Sequence, residues 1–306
     1  MTPSDTPTRC ALVAVIGAPN AGKSTLVNQA VGAKVTIVTH KVQTTRSPVR
    51  GIALRGDSQL VFVDTPGIFA PRRRLERAMV AAAWQGAADA DLTLLVIDAL
   101  KGLKGETGEL ARALAERIGQ GAPKALVALN KVDALERSRL LELAAEIDAL
   151  GIAERIFMIS ALNGDGVGDL LDHLAAAAPP GPWLFDPEDI SDLPQRLLAA
   201  EITREQVYLN LHQELPYAAT VRTESWTERK DGSVHLEQTI EVARDSQRAI
   251  VLGKGGATVK RIGQRARAEL ESLLERRVHL FLHVKVVPDW AERRDLYSEW
   301  GLEFDA

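Results

Sequence analysis

The chain has 306 residues, 46% of them hydrophobic and 25% charged, with a net charge of −4. That balance belongs to ordinary globular protein and excludes collagen-like, low-complexity and largely disordered classes. Net acidity excludes a wholly basic nucleic-acid binder but leaves room for a local basic site, and the length predicts two domains at about 150 residues each.

In chain order, residues 1–10 are polar and proline-bearing, and they read as a disordered tail rather than a signal peptide. The one cysteine, Cys10, cannot build a disulfide framework or a thiolate cage alone, which fits a reducing cytoplasm. From 11 to 178, the strand-like runs ALVAVIG, LVFVDT, LTLLVIDAL, KALVALN and RIFMIS alternate with helical stretches rich in alanine and leucine. Continuous apolar strands of this kind are covered by helices on both faces. The expected first domain is therefore α/β and doubly wound, with a mostly parallel sheet and ligands at the carboxyl ends of its strands. All apolar runs fall short of the roughly 18 residues needed to span a bilayer.

The proline-rich stretch around 179–190 is expected to be a linker, and the grammar changes beyond it. In 191–306 a helical stretch precedes two alternating runs, ATVRTESW and SVHLEQTIEV, with Asp231-Gly232 between them as a hairpin turn. GKGG, a long amphipathic stretch, the run VHLFLHVKVV and a short acidic tail follow. This second domain is α+β.

Gly17, Ala18, Pro19, Asn20, Ala21, Gly22, Lys23 and Ser24 fit GxxxxGK[ST] between a strand and a helix that opens with Thr25. Such a loop curls backbone N–H groups around phosphates. Lys23 then serves the β- and γ-phosphates, and the Ser24 hydroxyl serves Mg²⁺. Asp64, Thr65, Pro66 and Gly67 end the next strand motif, with Asp64 suited to hold Mg²⁺ through water and Gly67 to meet a γ-phosphate. Asn130, Lys131 and Asp133 end a further strand. Asp133 can accept from the N1–H and N2–H₂ edge of guanine, a donor pair that adenine lacks, while Asn130 bridges base and phosphate loop and the Lys131 stem packs along the base. Ser160, Ala161 and Leu162 follow the next strand, with the Ala161 N–H placed for guanine O6. The four motifs in this order resemble the GTPases of the P-loop superfamily.

In the threonine-rich segment between the first two motifs, Thr44 and Thr45 both qualify as the switch I ligand of Mg²⁺, and Thr45 beside Arg46 is preferred. After DTPG stands Ile68, where Ras-like enzymes carry a water-orienting glutamine, so no general base is visible. GTPases with an apolar residue there place water by backbone and solvent contacts, and many hold K⁺ with a phosphate-loop asparagine. By that resemblance Asn20 is the expected K⁺ residue, with slow turnover. Arg72, Arg73 and Arg74 read as a solvated or RNA-facing run rather than a cis arginine finger.

In the second domain, Gly253, Lys254, Gly255 and Gly256 form a GxxG loop between two helical stretches. Such a loop lets backbone approach nucleic-acid phosphates, and the element order matches the type II KH arrangement. Arg244, Arg248, Lys254, Lys260, Arg261, Arg265 and Arg267 fall in one window, an electrostatic footprint for a phosphate backbone. Ile250, Val251, Leu252 and Ile262 are expected to line the groove that holds the bases.

GAPNAGKST, QTTR, DTPG, NKVD, SAL and the GKGG module together resemble the Era family of bacterial GTPases, from about Ala11 to Trp300. One departure is Phe69, where the family often has histidine. The resemblance implies GTP and GDP as ligands with Mg²⁺. It also implies binding of the 3′ end of 16S ribosomal RNA within the immature 30S particle, favoured by GTP and released on hydrolysis. Peripheral contact with the inner membrane is implied too, and the basic window is the one candidate surface for it. A phosphoryl-transferring enzyme using ATP, an RNA scaffold with vestigial nucleotide binding, and a GTPase acting on transfer RNA or membranes are the alternatives. NKVD, the intact Lys23, Ser24 and Asp64, and the KH loop respectively weigh against them.

Overall fold

The structure, a computed structural model, describes residues 7–41, 43–211 and 215–306. The first six residues of the expected tail lie outside the described residues. The chain divides into two compact units, one comprising Met1–Thr36, Thr45–Asp192 and Tyr297–Ala306, the other Ile37–Thr44 and Leu193–Leu296.

The first unit is built on strands β1 (Arg9–Ile16), β2 (Val49–Arg55), β3 (Ser58–Asp64), β4 (Leu92–Asp98), β5 (Ala125–Asn130) and β6 (Ala153–Ile159). They form a six-stranded sheet in the order β2-β3-β1-β4-β5-β6. Every pairing is parallel except β2 with β3. Alternate residues feed two apolar clusters: Leu94 and Val96 in one, Leu95 and Ile97 in the other. This is the two-faced burial that uninterrupted apolar strands require. The helices are α1 (Lys23–Val31), α2 (Arg74–Asp89), α3 (Glu106–Gly119), α4 (Arg137–Ala149) and α5 (Val167–Ala177). The strand order reverses beside β1, so the loops after β1, β4 and β5 gather at one edge, where doubly wound sheets bind ligands.

Several segments depart from the expected borders. Strand β1 starts at Arg9, inside the expected tail, because Arg9 pairs with Ser58 and its guanidinium donates to Ala178 O at 2.6 Å. Much of the expected linker is hydrogen-bonded to the sheet. Leu184 and Phe185 N–H groups donate to Gln59 Oε1 at 2.8 and 3.1 Å, and Ile52 N–H donates to Ile190 O at 2.9 Å. The second unit therefore begins at Leu193. At the other end, Tyr297 and Leu302 pack with Ala78 and Met79 of α2. The Arg74 guanidinium lies 4.4 Å from the Phe304 ring, and that of Arg46 lies 5.8 Å from Trp300. The acidic tail expected in the second domain is thus core material of the first.

The second unit follows the order α6 (Gln195–Asn210), β7 (Ala219–Glu228), β8 (Val234–Val242), α7 (Asp245–Leu252), α8 (Ala257–Leu274) and β9 (Val278–Val286). Its three-stranded sheet runs β7-β8-β9, with β7 antiparallel and β9 parallel to β8. The β7–β8 turn closes through Gly232 N–H to Arg229 O at 3.0 Å, with Gly232 at φ 79°. Val207, Ile240, Val251 and Ile262 form its principal core.

Candidate functional site

The nucleotide motifs meet around the carboxyl ends of β1, β3, β5 and β6. Gly22 caps α1 at φ 98°, and a Cβ there would lie 2.2 Å from Asn130 Nδ2. Only glycine permits both the backbone turn and that approach. Thr25 continues the first turn of α1. The buried Lys23 ammonium donates to Gly17 O at 3.1 Å and Ala18 O at 3.2 Å. Burial pushes its pKa down to about 8 against the opposing pull of Asp64 and Glu106.

Asp64 is fully buried at the end of β3. Its Oδ2 accepts from Ser24 Oγ at 2.7 Å, Thr36 Oγ1 at 3.0 Å and Thr45 Oγ1 at 3.2 Å. Ser24 and Thr45 hydroxyls also lie 3.0 Å apart. Burial raises the Asp64 pKa, while Lys23 and the three hydroxyls lower it. Asp64 Oδ1 is buried with no partner among the described residues. An all-oxygen set with one orphaned carboxylate oxygen fits a hard divalent cation such as Mg²⁺. Among the described residues no cluster of His, Cys, Asp and Glu is built for a metal. Of the two expected switch threonines, Thr45 joins this cluster, whereas Thr44 Oγ1 pairs with Thr39 Oγ1 at 2.6 Å and donates to Lys41 O at 2.8 Å. Thr36 was not legible in the sequence, because no motif marks it.

The second switch is fastened to the phosphate loop. Ile68 N–H donates to Gly17 O at 3.1 Å, and Thr65 Oγ1 donates to Val15 O at 2.7 Å. Pro66 is buried, Gly67 packs its backbone against Pro19, and Ile68 joins the apolar cluster that includes Ile16 and Leu95. An apolar Ile68 is therefore a core residue and offers no proton acceptor.

At the base end, Asn130 Nδ2 donates to Ala21 O at 2.9 Å, while its Oδ1 accepts from Lys131 N–H at 2.8 Å and Ala161 N–H at 2.9 Å. Asn130 thus ties the phosphate loop to the Ser160–Leu162 loop. The Ala161 N–H expected to face guanine O6 is engaged by Asn130 in this arrangement. Lys131 Nζ donates to Asn20 O at 2.8 Å and pairs with Asp98 Oδ2 at 2.7 Å. The ammonium thereby holds the stem across the site, and Asn20 itself adopts a left-handed φ of 62°. Asp98, 4% exposed at the end of β4, escaped sequence reading, though an aspartate closing the apolar run LTLLVID was a usable signal. Asp133 is exposed on the short turn after Lys131, Ser160 Oγ is buried without a partner among the described residues, and Leu162 is 78% exposed.

In the second unit, Gly253, Gly255 and Gly256 all have positive φ, and a Cβ on Gly253 would meet Thr258 Oγ1 at 2.2 Å. The loop is thus glycine by necessity, and Lys254 on it is exposed. Lys260, Arg261 and Arg265 are exposed along α8, with Arg265 Nη1 on Asn210 Oδ1 at 3.2 Å. The expected groove lining is corrected in part. Val251 and Ile262 are fully buried in the core, because they face the sheet, while Ile250 is 57% exposed.

Comparison with known proteins agrees with these features. A family model described as a 50S ribosome-binding GTPase matches residues 12–131, and a KH domain model matches 214–291. GTPase Era of Caulobacter vibrioides is 55% identical over the full length of both chains. GTPase Era of Rhizobium meliloti is 58% identical, over 97% of this chain and 94% of its own. The crystal structure of Era in complex with MgGDPNP and nucleotides 1506–1542 of 16S ribosomal RNA has a TM-score of 0.89 at 36% identity, covering 96% of this chain and 99% of its own. A variant of Aquifex aeolicus Era bound to GDP.AlF4⁻ matches with the same scores and coverage.

The fold and site define a P-loop GTPase joined to a C-terminal KH domain. The chain belongs to the Era family of GTPases and hydrolyses GTP to GDP and phosphate.

Phosphates favour the charged form of Lys23, whose pKa in the structure is about 8. GDP binding is therefore expected to take up protons near pH 8 and to weaken as pH rises above that value. Titration calorimetry at pH 8.5 in two buffers of different ionisation enthalpy measures the uptake; identical apparent enthalpies would contradict it.

Proposed function

We propose that this chain is a GTP-gated reader of the 3′ end of 16S ribosomal RNA that assists maturation of the 30S subunit. The observation that carries the RNA part is the GKGG loop. Its glycines are held in left-handed geometry, it exposes Lys254, and it opens the basic face of α8. A backbone free of side chains can approach RNA phosphates, and Lys260, Arg261 and Arg265 add long-range attraction. The solved Era complex carries nucleotides 1506–1542 of 16S ribosomal RNA, which supports the choice of RNA.

In the nucleotide unit, the loop Gly17–Ser24 with Thr25 takes the phosphates, with Lys23 moving from its carbonyl partners to the β- and γ-phosphates. Ser24 and Thr45 would hold Mg²⁺ directly and Asp64 through water, and the ion would supply positive charge against the phosphates. Thr65, Pro66, Gly67 and Ile68 follow the γ-phosphate through the Gly67 N–H. Asp133 selects guanine by accepting from N1–H and N2–H₂, with Asn130, Lys131 and the Ser160–Leu162 loop framing the base. Ile68 supplies no base, so water is positioned by backbone and intrinsic turnover is slow. Asn20 of the phosphate loop would be the residue to hold a K⁺, which would supply compensating positive charge there. The domain assignment that follows is a GTPase unit built on Thr45–Asp192 with the segments to Thr36 and from Tyr297, and an RNA-reading unit built on Leu193–Leu296. The working place is the cytoplasm, with the pre-30S particle as partner. The inner membrane surface is the alternative partner for the same basic face.

Three measurements test this reading. Asp133→Asn is expected to weaken GDP binding by roughly 10²-fold or more and to improve binding of xanthosine diphosphate, whose O2 accepts where guanine donates; unchanged base preference would remove Asp133 from the base site. Labelled 16S 3′-end RNA is expected to bind more tightly with a GTP analogue than with GDP, and Lys254→Asp/Gly255→Asp is expected to abolish binding. Binding indifferent to nucleotide and mutation would defeat the ribosomal reading. Single-turnover hydrolysis is expected to be faster in K⁺ than in Na⁺, and equal rates would remove the K⁺ role.

A further inference from the structure

The segment Ile37–Thr44 lies in sequence between two hydroxyls of the Asp64 cluster, those of Thr36 and Thr45, yet it belongs to the second compact unit. What holds it there is α6. The Glu205 carboxylate accepts Val38 N–H at 2.8 Å, and the Arg204 guanidinium donates to Thr44 O. Lys41 Nζ donates to Tyr208 O and Leu211 O, and Tyr208 Oη donates to Gln43 O at 3.2 Å. Gln43 is in the left-handed region at φ 56°, an unfavourable conformation for a residue with a side chain, so the contacts hold the segment in a strained course.

The composition of α6 explains this grip. Thr203, Arg204, Glu205, Gln206 and Asn210 are all buried, and Arg204 is only 1% exposed. Arg204 is braced by Nε to Glu201 Oε1 at 2.8 Å, and its Nη1 has no partner among the described residues. Buried polar groups cost free energy unless they bind partners, and an apolar face would pack the same helix at lower cost. Such a face suits a polar partner. Much of what it meets is irregular backbone, whose N–H and C=O groups also need satisfying.

The same helix reaches the basic helix of the GKGG loop. Gln206 Nε2 donates to Glu269 Oε2 at 3.1 Å, and Arg265 Nη1 donates to Asn210 Oδ1 at 3.2 Å. Arg265 is a residue that the proposed function places against RNA.

We infer that α6 is the coupling element of the switch. Glu205, Arg204 and Lys41 act as positioning residues that hold Ile37–Thr44, so a change of nucleotide state at Thr36 and Thr45 alters α6 and, through Asn210 and Gln206, the RNA-facing helix α8. This inference rests on the GTP-gated RNA reading given above. By thermodynamic reciprocity, RNA bound at α8 must in turn change the preference for the GTP analogue over GDP by the same factor.

The test measures affinity for the labelled 16S 3′-end RNA, with GDP and with a GTP analogue, for wild type, Glu205→Ala, Glu205→Gln and Lys41→Met. Thermal melts and GDP affinity check that each variant folds. Wild type is expected to show a GTP-to-GDP affinity ratio of about five or more. Glu205→Ala and Lys41→Met are expected to bring that ratio below about two, and Glu205→Gln, which keeps a carbonyl acceptor for Val38 N–H, to restore most of it. Hydrogen exchange at Val38 is expected to rise in Glu205→Ala alone of the two Glu205 variants. Folded variants that keep the wild-type ratio would overturn the inference and leave the RNA reading standing. A wild-type ratio of one would overturn both. If Glu205→Ala does not fold, Lys41→Met decides the question by the same ratio.

Discussion

A single buried carboxylate organises the nucleotide site. Asp64 is wholly withdrawn from water, and an isolated ionised carboxylate in that position would cost many kcal/mol. Lys23 and three hydroxyls offset that cost, and the hydroxyls come from separate places in the chain: Ser24 on α1, Thr36 and Thr45 on either side of the switch segment. Remove the charge and those segments lose their common anchor. All three hydroxyls converge on Oδ2, and Oδ1 is left without a protein partner among the described residues. The site is thus satisfied on one side by protein and shaped on the other for a cation. In the proposed function, that division is what would let a metal-bound nucleotide change how firmly Thr36 and Thr45 are held.

The sequence made some of this readable and hid the rest for definable reasons. The five strands of the parallel sheet were legible because burial on both faces makes them continuously apolar. The motifs at their carboxyl ends were legible through their order, each after a strand, since DTPG or SAL standing alone reads as an ordinary turn. Strand β2 was not among them, since an antiparallel edge strand, VRGIALR, carries no uninterrupted apolar run. Thr36 acts through neighbours brought close by the fold, so its role has no local signature, whereas Asp98 at the end of LTLLVID offered one that went unread. The tail was misread for a similar reason. Its place in the sequence assigned it to the second domain, yet Tyr297 and Leu302 are buried against Ala78 and Met79 of the first. At the KH loop the pattern was almost sufficient, because glycine at positive φ announces itself. Which of its apolar neighbours face the groove depended on helix phase, and Val251 and Ile262 turned to the core.

The division of the chain into units carries the most functional information, and it is the part that motif reading could least supply. Motifs assign 37–44 to the GTPase because the segment lies between GTPase motifs. Hydrogen bonding assigns it to the other unit, because α6 provides the buried acceptors and donors that its backbone needs. A helix whose buried face holds arginine, glutamate, glutamine and asparagine is hard to recognise by periodicity, which looks for apolar stripes.

Exposed and buried charges therefore have different tasks in this chain. In the proposed function, the exposed lysines and arginines of α8 would attract RNA through a field that salt screens over about 10 Å at 0.1 M. Such a field is nearly the same whichever nucleotide is bound, so it supplies affinity without discrimination between states. Discrimination needs a contact that exists in one arrangement and not in another. The buried groups of α6 offer such contacts, since taking Val38 N–H from Glu205 or the Thr44 carbonyl from Arg204 gives up a hydrogen bond made away from water. Under the inference drawn above, losing those bonds costs enough to favour holding or releasing the segment as a whole, which a screened surface charge cannot provide.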